Sequence, residues 1–146
     1  MNKDCMIQAQ RFLAIREHNR QELTNKLQNR NFSKADIVCT IDCLENANLF
    51  SERRYVESFV NSNNGRHPMG KSVVLQKLLA KGADRHIASE VLDEIYTDEY
   101  VASLIKTACA KLLKRGKTAN AQTLSKLGFP LSKIREYIDN ANMEEL

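Results

Sequence analysis

Leu78-Leu79-Ala80-Lys81-Gly82-Ala83-Asp84-Arg85-His86-Ile87 reads as a helix end, a tight turn and a helix start. Gly82 suits the left-handed position that terminates a helix. Ala83 is the apolar residue after it, and Ile87 is the first inward residue of the next helix. The same grammar recurs at Leu23–Leu27–Asn31-Phe32–Ile37 and at Leu124–Gly128-Phe129–Ile134. Asn31, Gly82 and Gly128 are the two residue types that enter the left-handed region at low cost. They stand 51 and 46 residues apart in a chain of 146. A period of about 48 residues in an all-helical pattern is the mark of stacked helical units. The expected fold class is therefore all-α, an elongated tandem array of three three-helix repeats. Its expected divisions are 1–50, 51–97 and 98–146. Such a row offers a long lateral surface and no deep pocket.

The remaining helices follow from hydrophobic periodicity. Met6, Ala9, Phe12 and Leu13 form the first stripe. Asn19 is placed to cap a helix from Arg20 to about Asn29 that buries Leu23 and Leu27. Ser33 caps the third, with Asp36 at the capping-box position and Ile37, Val38, Ile41 and Leu44 inward. A fourth runs from about Glu52 to Asn61 with Tyr55, Val56, Phe59 and Val60 buried. Asn61 to Pro68 reads as a loop. Helices are then expected over Gly70–Lys81, Asp84–Ile95, Asp98–Arg115, Ala119–Leu127 and Leu131–Asn140.

Composition narrows the alternatives. With 5 Gly, 2 Pro and 6% aromatic residues, an all-β sandwich or barrel is disfavoured. No apolar run exceeds four residues, far below the ~20 that span a bilayer, so no membrane association is expected. The first eight residues contain no apolar signal region, which points to the cytoplasm. Cys5, Cys39, Cys43 and Cys109 are then expected as reduced thiols, serving as small buried hydrophobes. Cys39 and Cys43 share a helix face, but no second pair completes a metal set, so no metal and no cofactor is expected.

No nucleophile motif is visible. Gly65-Arg66-His67-Pro68-Met69-Gly70-Lys71-Ser72 matches the spacing of a phosphate-binding loop. Such a loop must follow a buried strand, whereas Tyr55 to Asn61 is amphipathic with helical period. The match is read as coincidence and the protein as a non-enzyme.

The formal net charge is +4, and from Tyr100 to Arg135 there are eight basic residues and no acidic one. An acid-free stretch of that length suggests an anionic partner. On the Tyr100–Arg115 helix, Val101, Leu104, Ile105, Ala108 and Leu112 take one side. Lys106, Lys114 and the helix-extending Lys117 take the other, flanked by Lys111 and Arg115. Further basic sets are Arg16, Arg20, Lys26 and Arg30 on the first two helices, and Lys71, Lys77 and Lys81 on the fifth. Lys77 and Lys81 are like charges one turn apart, which costs a few tenths of a kcal/mol. Aromatic residues sit at core-like positions, so no base-stacking platform is expected.

Three stretches resemble one family. Arg16-Glu17-His18-Asn19-Arg20-Gln21-Glu22-Leu23 with Lys26-Leu27 is similar to an Arg-x-His-Ser-Arg-x-Glu-Leu-x-x-Lys-Leu signature, with Asn19 replacing Ser as cap. Val74, Leu78, Lys81 and Gly82 fall at the spacing of a second signature, with Lys71, Lys77 and Ala83 as departures. Leu49 to Val60 is similar to a third, in which Ser51-Glu52 replaces a pair of Asp. Together they resemble RecX, the bacterial regulator of the RecA recombinase, over nearly the whole chain. The resemblance implies a non-enzymatic modulator, mainly an inhibitor, within DNA repair, recombination and the SOS response. It would act as a monomer that binds along the RecA–DNA filament and lowers its ATPase and strand-exchange activity. Direct contact with single- or double-stranded DNA stays open. The alternative is a stand-alone helical nucleic-acid-binding module.

Overall fold

The computed structural model describes residues 2–144. Nine helices and no strand occur among them: α1 (Lys3–Ile15), α2 (Arg20–Asn29), α3 (Lys34–Asn46), α4 (Glu52–Arg66), α5 (Lys71–Ala80), α6 (Arg85–Ile95), α7 (Asp98–Lys114), α8 (Ala121–Lys126) and α9 (Leu131–Glu144). All nine answer to helices expected from the periodicity.

The helix starts are built by short-range caps. Asn2, Asn19, Ser33, Thr97 and Asn120 each accept an amide N–H three residues on. Ser51 and Asp84 do the same for Arg54 and Ile87. Such a cap is worth about 1 kcal/mol. The expected helix ends close by one hydrogen-bond pattern. Asn31, Gly82 and Gly128 have φ of 69°, 93° and 95°. After each, the next residue's N–H returns to a leucine carbonyl: Phe32 to Leu27 at 3.3 Å, Ala83 to Leu78 at 3.0 Å and Phe129 to Leu124 at 3.3 Å. This is the Schellman closure, in which an apolar residue folds back over the last turn. Asn48 (φ 61°) and Gly116 (φ 72°) close α3 and α7 in the same way. Asn48 went unmarked in the sequence because no counterpart repeats it.

Two compact units arise. The first holds the described residues up to Phe59 together with Leu78–Ala88. Its α1, α2 and α3 pack mutually around Cys5, Ala9, Leu23, Leu27, Ile37, Ile41, Leu44 and Phe50. The second holds Val60–Lys77 and the described residues from Ser89 onward. There α9 packs on α7 and α8 around Val101, Leu104, Ile105, Ala108, Leu124, Phe129 and Ile134. Each buried Leu, Ile or Phe contributes about 1.5–3 kcal/mol. In this unit Gly70 and Gly128 meet backbone to backbone. A side chain at Gly70 would lie 2.0 Å from the Gly128 carbonyl oxygen, and the Gly70 N–H donates to Leu127 O at 2.8 Å.

Several expectations need correction. Asn61 to Arg66 is not a loop but the continuation of α4. Asn64 is buried there; its amide donates to the hydroxyls of Tyr96 and Tyr100, both at 2.9 Å, and its oxygen accepts the Met69 N–H. A polar run looked like a loop because its partners lie more than thirty residues away. Burial pushes the Tyr96 phenol up to about 12. Val38 is 53% exposed rather than inward, and Thr40 takes the buried position. Cys39 is exposed and Cys43 half-buried, so only Cys5 and Cys109 act as buried hydrophobes. The eighth helix starts at Ala121, because the cap is Asn120.

Candidate functional site

The Arg16–Leu27 stretch builds a joint rather than an open cationic face. Arg16 ends α1, and its guanidinium grips Glu22 with two bonds of 2.9 and 3.2 Å. Glu22 also accepts the Asn19 N–H at 3.0 Å while Asn19 Oδ1 accepts the Glu22 N–H at 2.8 Å, a complete capping box. Burial works to raise the Glu22 pKa, but the bonds from Arg16 and the Asn19 N–H outweigh it and hold the carboxyl below its ordinary value. The Asn19 amide donates to Lys81 O at 3.1 Å. Glu52 is buried and joins two helix starts, accepting the N–H of Arg20 at 2.7 Å and of Asp84 at 3.1 Å. These two bonds and the Ser51 cap are the work of the Ser51-Glu52 pair.

His18 is 1% exposed beneath this joint. Its Nδ1 meets Arg16 O at 2.9 Å and its Nε2 meets Lys26 Nζ at 2.8 Å. A lysine ammonium only donates, so Nε2 accepts and the ring is neutral with its proton on Nδ1. Burial is the main cause lowering the His18 pKa, with Arg16 and Lys26 adding to it.

Most of the cations picked from the sequence have work inside the protein. Arg20 reaches Asp42 at 3.1 Å and Glu45 at 3.5 Å and lies over the Phe50 ring. Lys26 and Arg30 both sit over Phe12, at 5.2 and 5.6 Å from its centroid. Lys71 pairs with Asp93, and Lys77 Nζ lies 3.5 Å from Asn63 Oδ1. Lys81 lies over Phe59. Lys111 donates to the carbonyls of Gly65 at 3.0 Å and Arg66 at 2.9 Å, closing the C-terminus of α4 where the helix dipole favours a cation.

Four of the chosen cations remain. Lys106, Lys114, Arg115 and Lys117 are exposed, and their side chains take no partner among the described residues. Lys117 does not extend the helix, as the wheel assumed. α7 ends at Lys114, Arg115 is its cap, and beyond Gly116 the Lys117 N–H returns to Leu112 O at 2.9 Å. Arg115 borders a small hollow with Arg66, His67 and Lys111 over an apolar floor of Ala108, Leu112 and Leu127. Arg66 was missed in the sequence because its segment read as a loop.

No group of three or more His, Cys, Asp or Glu is arranged to hold a metal among the described residues. Gly65 lies within α4, and Gly70 is closed by its contact with Gly128, so the phosphate-loop spacing belongs to a helix end and a packing contact. No helix among the described residues is long and apolar enough to cross a membrane.

Known proteins place this geometry. The chain is 33% identical over 136 residues to the regulatory protein RecX of Chlorobium phaeobacteroides, covering 88% of this chain and 87% of that one. The chain belongs to the RecX family. A RecX regulatory protein of Pseudomonas putida is 30% identical over 138 residues, covering 91% and 88% of the two chains. The fold agrees with the crystal structure of RecX from Lactobacillus salivarius, with a TM-score of 0.81, 24% identity and 96% coverage of both chains. No family model matches the chain.

Proposed function

We propose that this RecX-family protein inhibits RecA by binding the RecA–DNA filament and lowering its ATPase and strand-exchange activity. The observation that carries the reading is the set of uncompensated cations along α7 and just beyond it. Lys106, Lys114, Arg115 and Lys117 face solvent with no acidic partner among the described residues. They meet an anionic surface, DNA phosphate or recombinase carboxylate, without first breaking an internal ion pair. The other basic residues picked from the sequence contribute to that field while holding the fold. We take the protein to act in the cytoplasm, as a monomer and without catalysis. The three repeats 1–50, 51–97 and 98–146 are its proposed units of contact, supported by the recurrence of one closure with an apolar residue and a following inward helix at Asn31, Gly82 and Gly128.

The test is a titration of RecA ATPase on single-stranded DNA. The wild-type chain should suppress hydrolysis at or below one copy per RecA protomer. A Lys106→Glu/Lys114→Glu/Lys117→Glu variant should need roughly tenfold more protein, about 1.4 kcal/mol. Full hydrolysis at excess wild-type protein would refute the proposal.

A second reading, a stand-alone nucleic-acid-binding module, draws on the same cations. It requires DNA binding without RecA, with a log–log salt slope that falls by about 2–3 in the triple variant.

A further inference from the structure

The first compact unit carries a groove of about 520 Å³ unlike the α7 surface. One wall is the stripe Gln21, Thr24, Asn25 and Gln28 of α2, which the i, i+3, i+4, i+7 spacing puts on a single face. None of these four side chains has a hydrogen-bond partner among the described residues. Gln21 lies against Gly82, where any side chain would come within 3.3 Å of it, so the turn's bare backbone keeps the groove open on that side. Ile87 gives the facing side an apolar spot.

The charge of the groove is opposite to that of the chain. Its lining holds one cation, Arg20, against three carboxylates, Glu45, Glu52 and Asp84. Arg20 is already shared between Asp42 and Glu45. Asp84 uses one oxygen on the Ile87 N–H, which leaves the other facing outward. A phosphate backbone is repelled from such a lining. A solvated face alone does not account for the stripe, because the other polar positions of α2 include Arg20, Glu22 and Lys26 while this stripe holds no charge.

We infer that this groove binds an extended polypeptide segment bearing a basic side chain. Carboxamides both donate and accept, which matches the alternating N–H and C=O of an extended backbone. Asp84 receives the basic side chain, and Ile87 receives an apolar neighbour. The inference rests on the proposed function in one respect, since it takes the segment to belong to the recombinase. The molecule then divides its surfaces by chemistry, with protein recognised at α2 and anions at α7.

The experiment uses the full-length chain and RecA assembled on single-stranded DNA as the probe. Asn25→Arg/Gln28→Arg changes two exposed side chains, so the melting temperature should hold. Binding to the filament should weaken at least roughly tenfold, while affinity for single-stranded DNA without RecA stays equal or rises. Hydrogen exchange of the α2 and Gly82–Ile87 amides should slow when the wild-type chain meets the filament. A double variant that binds the filament like wild type overturns the groove and leaves the proposed function standing. A double variant that loses free DNA binding in step identifies a nucleic-acid occupant and also overturns it. A wild-type chain with no effect on RecA overturns both.

Discussion

The basic residues of α1 and α2 and those of α7 are alike in the sequence and opposite in the structure. Arg16, Arg20 and Lys26 are bound to Glu22, to Asp42 and Glu45, and to His18. Lys106, Lys114 and Lys117 touch no acid among the described residues. Both sets add to the net charge, yet only the second is free to act on a partner at no internal cost. A count of lysines and arginines therefore overstates the active surface of the first region. It describes that of the third more faithfully, because no acidic residue lies between Tyr100 and Arg135 in the sequence to neutralise it.

That contrast can be broken most sharply at Glu52. Glu52→Ala leaves the Arg20 and Asp84 N–H groups without their acceptor. Each part-buried donor left without its acceptor costs about 1–2 kcal/mol, so the expected loss is about 2–4 kcal/mol in chemical denaturation. A loss under 0.5 kcal/mol would show that water replaces the carboxylate and that the joint is not a structural centre. The Lys106/Lys114/Lys117 reversal should do the opposite, changing stability by less than about 0.5 kcal/mol while weakening partner binding roughly tenfold. Equal destabilisation by the two changes would erase the distinction.

A finer comparison sets two lysines side by side. Lys26→Ala removes the donor to buried His18 and the cation over Phe12, and should cost about 1–2 kcal/mol. Lys114→Ala should fall within about 0.5 kcal/mol of wild type. Thermal melts of the pair would settle the order.

The smallest expected effect is on pH dependence. The folded-state pKa of His18 lies below its ordinary value, with Arg16, Lys26 and Glu22 the charged groups around it. At pH above the unfolded value of about 6.5 the ring is neutral in both states and its contribution is complete. As the pH falls below that value the unfolded chain takes up a proton that the folded chain refuses, and stability declines. His18→Gln should flatten that limb of the stability profile. A wild-type profile flat between pH 7 and 5 would count against the neutral, buried ring.

The helices were legible because their signals are short-range. Asn19, Ser33 and Thr97 sit three residues from the amides they cap, and Asn31, Gly82, Gly116 and Gly128 end helices through their own φ. The exceptions have distant causes. Asn64 holds the end of α4 in helix through Tyr96 and Tyr100, and Val38 faces solvent because the packing on α1 and α2 selects Ile37, Thr40 and Ile41 instead.

The candidate site was less legible for the same reason. Periodicity placed Lys111 on a polar face, but the carbonyls it caps lie 46 and 45 residues away. Arg20 looked like a partner contact until Asp42 came to it across 22 residues. By itself, then, the sequence settled the helical class, the repeated turns and the family, each of which depends on neighbours within a few residues. Only the tertiary structure decided which cations are free, what Glu52 holds, and that an uncharged stripe of α2 opens onto a groove. Those depend on distances between residues far apart in the chain, and a charge has no availability until its neighbours in space are known.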